Sequence, residues 1–239
     1  MLLKTKAIVL SKLKYRDNDL IVKCYTQQKG VVSYLLRGVF KSKKGSSKAA
    51  YYQMLSQLEV EQTYKTNHTL HYINEVKVAY AYKSLHTNIL KTAIVMFLSE
   101  VLSSVLKEEE QNKELFDYLE TTLQWLDLQS EFSNFHLLFL LELTKHLGFY
   151  PDTSDVNQRY FNLNNGLFQP NKQDVYSISG ENLDILQQIL LVDFESLEAV
   201  KLNAKQRQSF LSMLLLYYEL HLGTFNKPKS LQIFNQVFH

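Results

Sequence analysis

An α+β protein is predicted: a five-stranded N-terminal barrel, then an all-helical C-terminal domain carrying a small irregular insert. Two observations predict it. Apolar residues alternate with period two, in short runs bounded by turn residues, up to about residue 80, and after Ala81 they recur at helical spacing. Charge divides at the same place. Residues 1–83 hold fifteen Lys+Arg against five Asp+Glu, a balance of +10, whereas residues 84–239 hold eleven against nineteen, a balance of −8; the sum is the chain's +2. The expected domains are therefore 1–80 and 81–239, with the insert at about 152–178.

The strands follow in order. Thr5–Leu13 alternates and is rich in β-branched residues. Leu20–Thr26 and Val31–Arg37 flank Gln27-Gln28-Lys29-Gly30, which is hairpin spacing with a glycine closing the turn. Leu55–Tyr64 and His71–Tyr80 surround the turn-like Lys65-Thr66-Asn67-His68. Five short strands in about eighty residues fit a barrel better than a sandwich, because closing the sheet removes exposed edges.

Helices take over from Ser84. Ser84–Lys107 carries Leu85, Ile89, Leu90, Ala93, Phe97, Leu98 and Val101 on one stripe. Leu115–Leu128 and Phe132–Leu147 repeat the pattern, and Gly148 followed by Pro151 marks the end of the latter. Gln206–Leu222 closes at Gly223, and Pro228–Val237 makes a last short helix. Between them Asp152–Ile178 is polar, with Asn164-Asn165-Gly166 as a tight turn inside a small hairpin held by Phe161, Leu163, Leu167 and Phe168.

Composition removes several function classes. One cysteine, Cys24, rules out an intrachain disulfide and points to a reducing compartment. Charges interrupt every apolar run near the N-terminus and no run reaches eighteen residues, so neither a signal peptide nor a membrane span is expected and the cytoplasm is the expected location. No glycine-rich phosphate loop, H-E-x-x-H or cysteine pair occurs. His136 and His146 lie ten residues apart on one helix, roughly 280° around it, and cannot share a metal; each reads as a polar rim residue. Cys24 reads as a small buried hydrophobe, and Glu108-Glu109-Glu110 as a solvated connection. No catalysis is expected.

The informative stretch is Arg37 to Tyr52, whose first twelve residues hold Arg37, Lys41, Lys43, Lys44 and Lys48 and no acid. Like charges this close repel unless a polyanion neutralises them, and a phosphate backbone supplies regularly spaced negative charge with counterions to release. Lys12, Lys14 and Arg16 add to the cluster, and Tyr15, Tyr34, Phe40, Tyr51 and Tyr52 interleave with it. Aromatic faces beside a basic groove stack unpaired bases, the equipment of a nucleic-acid-binding OB-fold. Strand aromatics are equally at home in a core, and Tyr34 between Ser33 and Leu35 fits either face. Anionic membrane is the competing polyanion, but no amphipathic helix or lipidation motif accompanies the charges. The rival function class is a protein-interaction scaffold whose basic barrel meets an acidic partner.

These residues resemble a known family, the RecO recombination mediators. The run K-A-I-V-L, then Y-R-D-N-D-L-I-V, T-Q-Q-K-G-V-V-S and R-G-V-F-K-S-K-K-G resembles the family's first strand, its turn with an acidic residue, its glycine hairpin and its basic loop. Further on, E-L-T-K-H-L-G-F-Y-P-D, Y-Y-E-L-H-L and K-S-L-Q-I-F-N-Q-V-F resemble the helix before the family's variable insert and its C-terminal helices. The resemblance implies an N-terminal OB-fold, binding of single- and double-stranded DNA, strand annealing, and cooperation with RecR and single-stranded DNA-binding protein in the nucleoid. It implies DNA contacts at Arg37, Lys41, Lys43, Lys44 and Lys48, with Lys12 and Arg16, and Tyr51 is the aromatic placed beside them. It also implies a pocket on the helical domain for a partner's acidic, aromatic-ending tail. Many members hold zinc through cysteines in the insert; residues 152–178 contain none, so no zinc or other cofactor is carried over.

Overall fold

The computed structural model describes residues 2–41, 49–64, 68–106 and 111–238. The chain forms two compact units, one running to Leu128 and including Pro228–Ser230, the other comprising Gln129–Lys227 and Leu231 onward. Lys65-Thr66-Asn67 and Glu108-Glu109-Glu110 lie outside the described residues. No helix among the described residues is long and apolar enough to cross a membrane.

The first unit is built on β1 (Leu2–Tyr15), β2 (Asp19–Thr26), β3 (Gly30–Leu36), β4 (Gln57–Thr63) and β5 (Tyr72–Tyr80), an antiparallel sheet of order β3-β2-β1-β4-β5. Its two edges come back together at a single parallel bridge, Tyr34 with His71. There Leu35 N donates to His71 O and His71 N to Ser33 O, each at 2.9 Å. A register shift between Val9 and Ser11 bends β1. Below it β1 pairs with both β2 and β4; above it, with β2 alone. The interior holds Val9, Val22, Cys24, Val32, Tyr34, Leu58 and Val60. Burial pushes the Cys24 thiol far above its ordinary range, which keeps it protonated and inert. Tyr34 and Tyr52 are 0% and 3% exposed, so both leave the set of candidate base contacts and belong to the core.

Helix α1 (Ile89–Val105) and α2 (Lys113–Leu128) complete this unit. Tyr25 on the outer side of β2 meets Phe116 of α2, and Gln57 donates to the Glu120 carbonyl at 2.8 Å. The periodicity places the start of α1 at Ser84, but the helix begins at Ile89. The reason is Asp127: the backbone N–H groups of Lys83, Ser84 and Leu85 donate to its carboxylate at 2.8–2.9 Å, holding these residues in a turn. Asn88 then caps the helix by accepting from Leu90 N and Lys91 N.

The second unit contains α3 (Phe135–Leu147), β6 (Tyr160–Asn162), β7 (Leu167–Gln169), β8 (Ser177–Ile178), α4 (Glu181–Ile189), α5 (Ala204–Leu222) and α6 (Leu231–Val237). Helix α3 is buried on almost every face from Phe135 to Leu141, as a central helix is. His136 is accordingly not a rim residue: it is 1% exposed, and burial together with the nearby Arg207 charge pushes its pKa down to about 3. Gly148 ends the helix in the left-handed region at φ 83°, as the sequence predicts. Helix α4, which the sequence reading passes over, carries its apolar stripe on Leu183, Leu186 and Ile189. It starts at Gly180, without a side-chain cap to announce it.

In the insert, Asn162 organises the tight turn by accepting from Asn164 N and Asn165 N, while its amide donates to Asp174 and Ser177. Phe161, Leu163 and Phe168 are buried beneath it, whereas Leu167 is exposed. Gly166 has φ 71°, and a Cβ there would lie 2.8 Å from the Tyr217 hydroxyl, which donates to Phe149 O. Gly166→Ala is therefore expected to destabilise the protein by about 2–3 kcal/mol, from left-handed strain and a displaced buried hydroxyl. Thermal denaturation of the variant measures this.

Candidate nucleic-acid interface

Two loops meet at one end of the strand unit. The β1–β2 turn runs through Arg16, whose φ of 52° is unusual for a residue with a side chain, to Asn18. The exit from β3 runs through Arg37 to Lys41. Gly38 N donates to the Asp19 carboxylate at 2.8 Å and Phe40 N donates to Asn18 O at 3.2 Å, so the loops are joined side by side. Gly38 adopts φ 64°, which glycine takes without strain. Val39 and Tyr52, on either side of the basic stretch in sequence, both pack into the core cluster.

This arrangement brings three predicted cations together. Arg16, Arg37 and Lys41 are exposed on the joined loops, and Lys12 is exposed near the end of β1, sharing a face with Val22 across the strand pair. Arg37 is oriented by Tyr72: its guanidinium donates to the hydroxyl at 2.6 Å and lies 5.0 Å from the ring centroid. Arg16 sits 5.2 Å from the Tyr15 ring centroid. Tyr51 and Phe40 are 41% and 40% exposed, open to a stacked base, though no described contact joins Tyr51 to the cations. Lys43, Lys44 and Lys48 lie outside the described residues.

The positive charge of the N-terminal residues is not uniform. Lys4 pairs with Glu61 at 3.2 Å, Lys6 with Glu120 at 2.9 Å and Lys77 with Glu75 at 3.1 Å. Among the described residues no carboxylate forms an ion pair with Lys12, Arg16, Arg37 or Lys41. Lys4 and Lys12 are eight residues apart on β1, roughly 26 Å of strand. One end of the unit is thus compensated and the other, apart from the neighbouring Asp17 and Asp19, is not. Asp19 uses its carboxylate on Gly38 N–H.

Sequence reading missed Tyr72 and the tethering role of Asn18 and Asp19. Alternation in His71–Tyr80 places Tyr72 on a face of its strand, but its partner Arg37 is 35 residues away in sequence. The bridge of Tyr34 with His71 sets the two side by side.

Among the described residues no group of three or more His, Cys, Asp or Glu could hold a metal ion. The insert that resembles a zinc-bearing segment offers Asn162, Gln169, Asp174 and Ser177, already satisfied by one another, which is no zinc ligand set. The second unit has a separate cleft of about 350 Å³ whose lining includes Glu131, Phe132, Asn134, Glu198, Val200 and Arg207, with Lys201. Asn134 Oδ1 and Arg207 Nε are buried without hydrogen-bond partners.

Comparison with known proteins gives consistent matches along the chain. Residues 1–82 match the family model described as Recombination protein O N terminal, and residues 86–232 match Recombination protein O C terminal. Curated relatives named DNA repair protein RecO include that of Christiangramia forsetii, 48% identical over 238 residues. Those of Flavobacterium johnsoniae and Bacteroides fragilis are 44% and 36% identical. All of this chain and all of each relative are covered in these three alignments.

Proposed function

The chain belongs to the RecO family of DNA repair proteins, and from that premise we propose that it is a non-catalytic recombination mediator whose strand unit grips DNA phosphates. The observation that carries this reading is the cationic end formed by Arg16, Arg37 and Lys41, which no described carboxylate pairs with and after which Lys43, Lys44 and Lys48 follow in the sequence. Cations there displace counterions from single- or double-stranded DNA, which supplies sequence-independent affinity. Annealing then needs no reactive group. Neutralising two strands on one surface lowers their mutual repulsion and lets complementary bases meet.

On this reading the protein works in the cytoplasm on the nucleoid, together with RecR and single-stranded DNA-binding protein, to help load recombinase. On the same reading the acidic tail of single-stranded DNA-binding protein docks on the second unit. No zinc is required, because the polar cluster around Asn162 does the work of holding the insert. A metal chelator is accordingly expected to leave the thermal midpoint unchanged; a drop of several degrees would show a bound structural metal.

Titration with single-stranded and duplex oligonucleotides over a range of salt concentrations tests the function. A mediator binds both, with affinity falling steeply as salt rises. A scaffold for an acidic protein partner would bind DNA weakly under all conditions.

A further inference from the structure

We propose that β5 is a self-pairing edge: two copies of the chain join antiparallel along this strand, about a twofold axis at Val76, and the sheet continues from one copy into the other. The fold leaves this edge open. The bridge of Tyr34 with His71 is parallel, so β3, ending at Leu36, reaches no further than Ile73 in that register. From there β5 runs on to Tyr80 with β4 alone beside it. An antiparallel strand turns its N–H and C=O groups alternately to either side. Among the described residues no backbone hydrogen bond from another segment reaches the outer side of Asn74–Tyr80. No residue of β5 beyond this point is buried, in contrast to each of the other four strands of the sheet.

The strand's own charges select a second copy as its partner. Val76 packs against the core, so Glu75 and Lys77 point to the opposite, outer face. They are the only charged residues of β5 and lie one to either side of Val76. Antiparallel pairing centred on Val76 therefore sets Glu75 of each copy opposite Lys77 of the other, with Ile73 opposite Ala79 and Tyr72 opposite Tyr80. Symmetry makes every such pair occur twice. Parallel pairing in register would instead set Glu75 on Glu75 and Lys77 on Lys77, which repel. Within one chain Glu75 already has a like charge across the ladder, because its partner on β4 is Glu61. An ammonium arriving on its other side from a second copy offsets that repulsion. Lys77 and Glu75 of one chain approach to 3.1 Å with their side chains 67% and 56% exposed, so both remain open to a partner.

The pairing is short and closed. Register shifts between Gln57 and Leu58 and between Glu61 and Gln62 leave Ala79 and Asn74 as extra residues on β5, one at each end of Glu75–Val78. Such bulges bend an edge strand away from further pairing, so the contact is limited at both ends and gives reversible association. An isologous pair also uses up the edge of both copies and cannot grow into a fibre. Tyr72, which holds Arg37, lies four residues, roughly 13 Å, from the axis. The two Arg37 side chains thus fall on opposite sides of it. On the DNA-binding reading above, one particle then carries two cationic ends and can hold two strands.

Sedimentation velocity of the full chain without DNA, at low salt over a range of protein concentrations, tests the pairing independently of DNA binding. The wild type is expected to show a monomer–dimer equilibrium with a dissociation constant of about 10 to 100 μM. Glu75→Lys and Lys77→Glu each turn both attractive pairs repulsive, and each is expected to weaken the dimer by at least about tenfold. An equimolar mixture of the two variants is expected to recover wild-type association, because every charge pair across the axis is then opposite in sign. A chain carrying both substitutions is expected to recover it too. Both positions are exposed, and an unchanged thermal midpoint shows that the fold is kept. A wild type that stays monomeric up to about 500 μM would overturn the proposal. So would a dimer that both reversals leave unchanged, or a mixture of the two variants that fails to associate. Failure of the pairing leaves the cationic end standing, since that is read from salt-dependent oligonucleotide binding, and loss of oligonucleotide binding leaves the sedimentation result standing.

Discussion

Replacing Lys41, Lys43, Lys44 and Lys48 together by alanine is expected to flatten the salt dependence of single-strand binding by about 3 in the slope of log affinity against log salt. Each phosphate contact contributes about −0.7 to that slope, and four contacts sum to near −3. Between 50 and 200 mM salt, roughly sixtyfold of the wild type's loss of affinity would then disappear, since a fourfold salt change enters to about the third power. The five-stranded sheet is expected to survive the change intact. Val39 and Tyr52, which flank the lysines in sequence, are 8% and 3% exposed and stay in the core whatever the lysines become. Fluorescence anisotropy with a labelled oligonucleotide at several salt concentrations measures the slope, and the thermal midpoint checks the fold. An unaltered slope would move the phosphate contacts elsewhere on the molecule.

The largest effect on stability is expected from Asp127→Ala. The Asp127 carboxylate accepts from Lys83 N, Ser84 N and Leu85 N, and the Ser84 hydroxyl donates to the Asp127 carbonyl at 2.6 Å. Lys91, itself 3% exposed, donates to Ser84 Oγ at 2.7 Å and to Asp127 O at 2.9 Å. Removing the carboxylate strands three backbone donors and takes a negative charge from beside a buried ammonium. A loss of about 3 kcal/mol follows, read as a lower urea midpoint. The pH dependence has a definite sign. Burial alone would raise the Asp127 pKa, but the three backbone N–H groups and the Ser84 hydroxyl outweigh it and hold it below the ordinary 3.8. A depressed folded value means that the carboxylate stabilises fully above 3.8 and progressively less as the pH falls through the folded value. The gap between variant and wild type should therefore narrow in acid.

Much of the architecture was legible in the sequence because it rests on local period and punctuation. The alternation of Leu20–Thr26, the Gly30 turn and the Asn164-Asn165-Gly166 turn each specify their element without help from distant residues. What stayed hidden depends on contacts between segments far apart. Tyr34 has a polar neighbour on one side and an apolar one on the other, so alternation leaves its direction open, and the packing of Val22, Cys24 and Tyr52 decides that it points inward. The start of α1 was displaced by Asp127, more than forty residues ahead of the turn it holds. His136 lies on a helix so apolar that a rim position and a buried one have the same periodicity. The candidate site divides the same way. Its cations were visible as a run without acids, but the sequence counted Lys4, Lys6 and Lys77 with them. The fold sets those three against Glu61, Glu120 and Glu75.

That division allows charge and placement to be separated. Two variants with the same loss of positive charge are compared for single-strand binding across salt: Lys4, Lys6 and Lys77 to alanine in one, Arg16, Arg37 and Lys41 to alanine in the other. Binding by the compensated-end variant should follow the wild-type slope, while the slope of the other should flatten by about 2. Equal flattening in both would mean that DNA responds to net charge alone, and would contradict the assignment of the interface to this end of the strand unit.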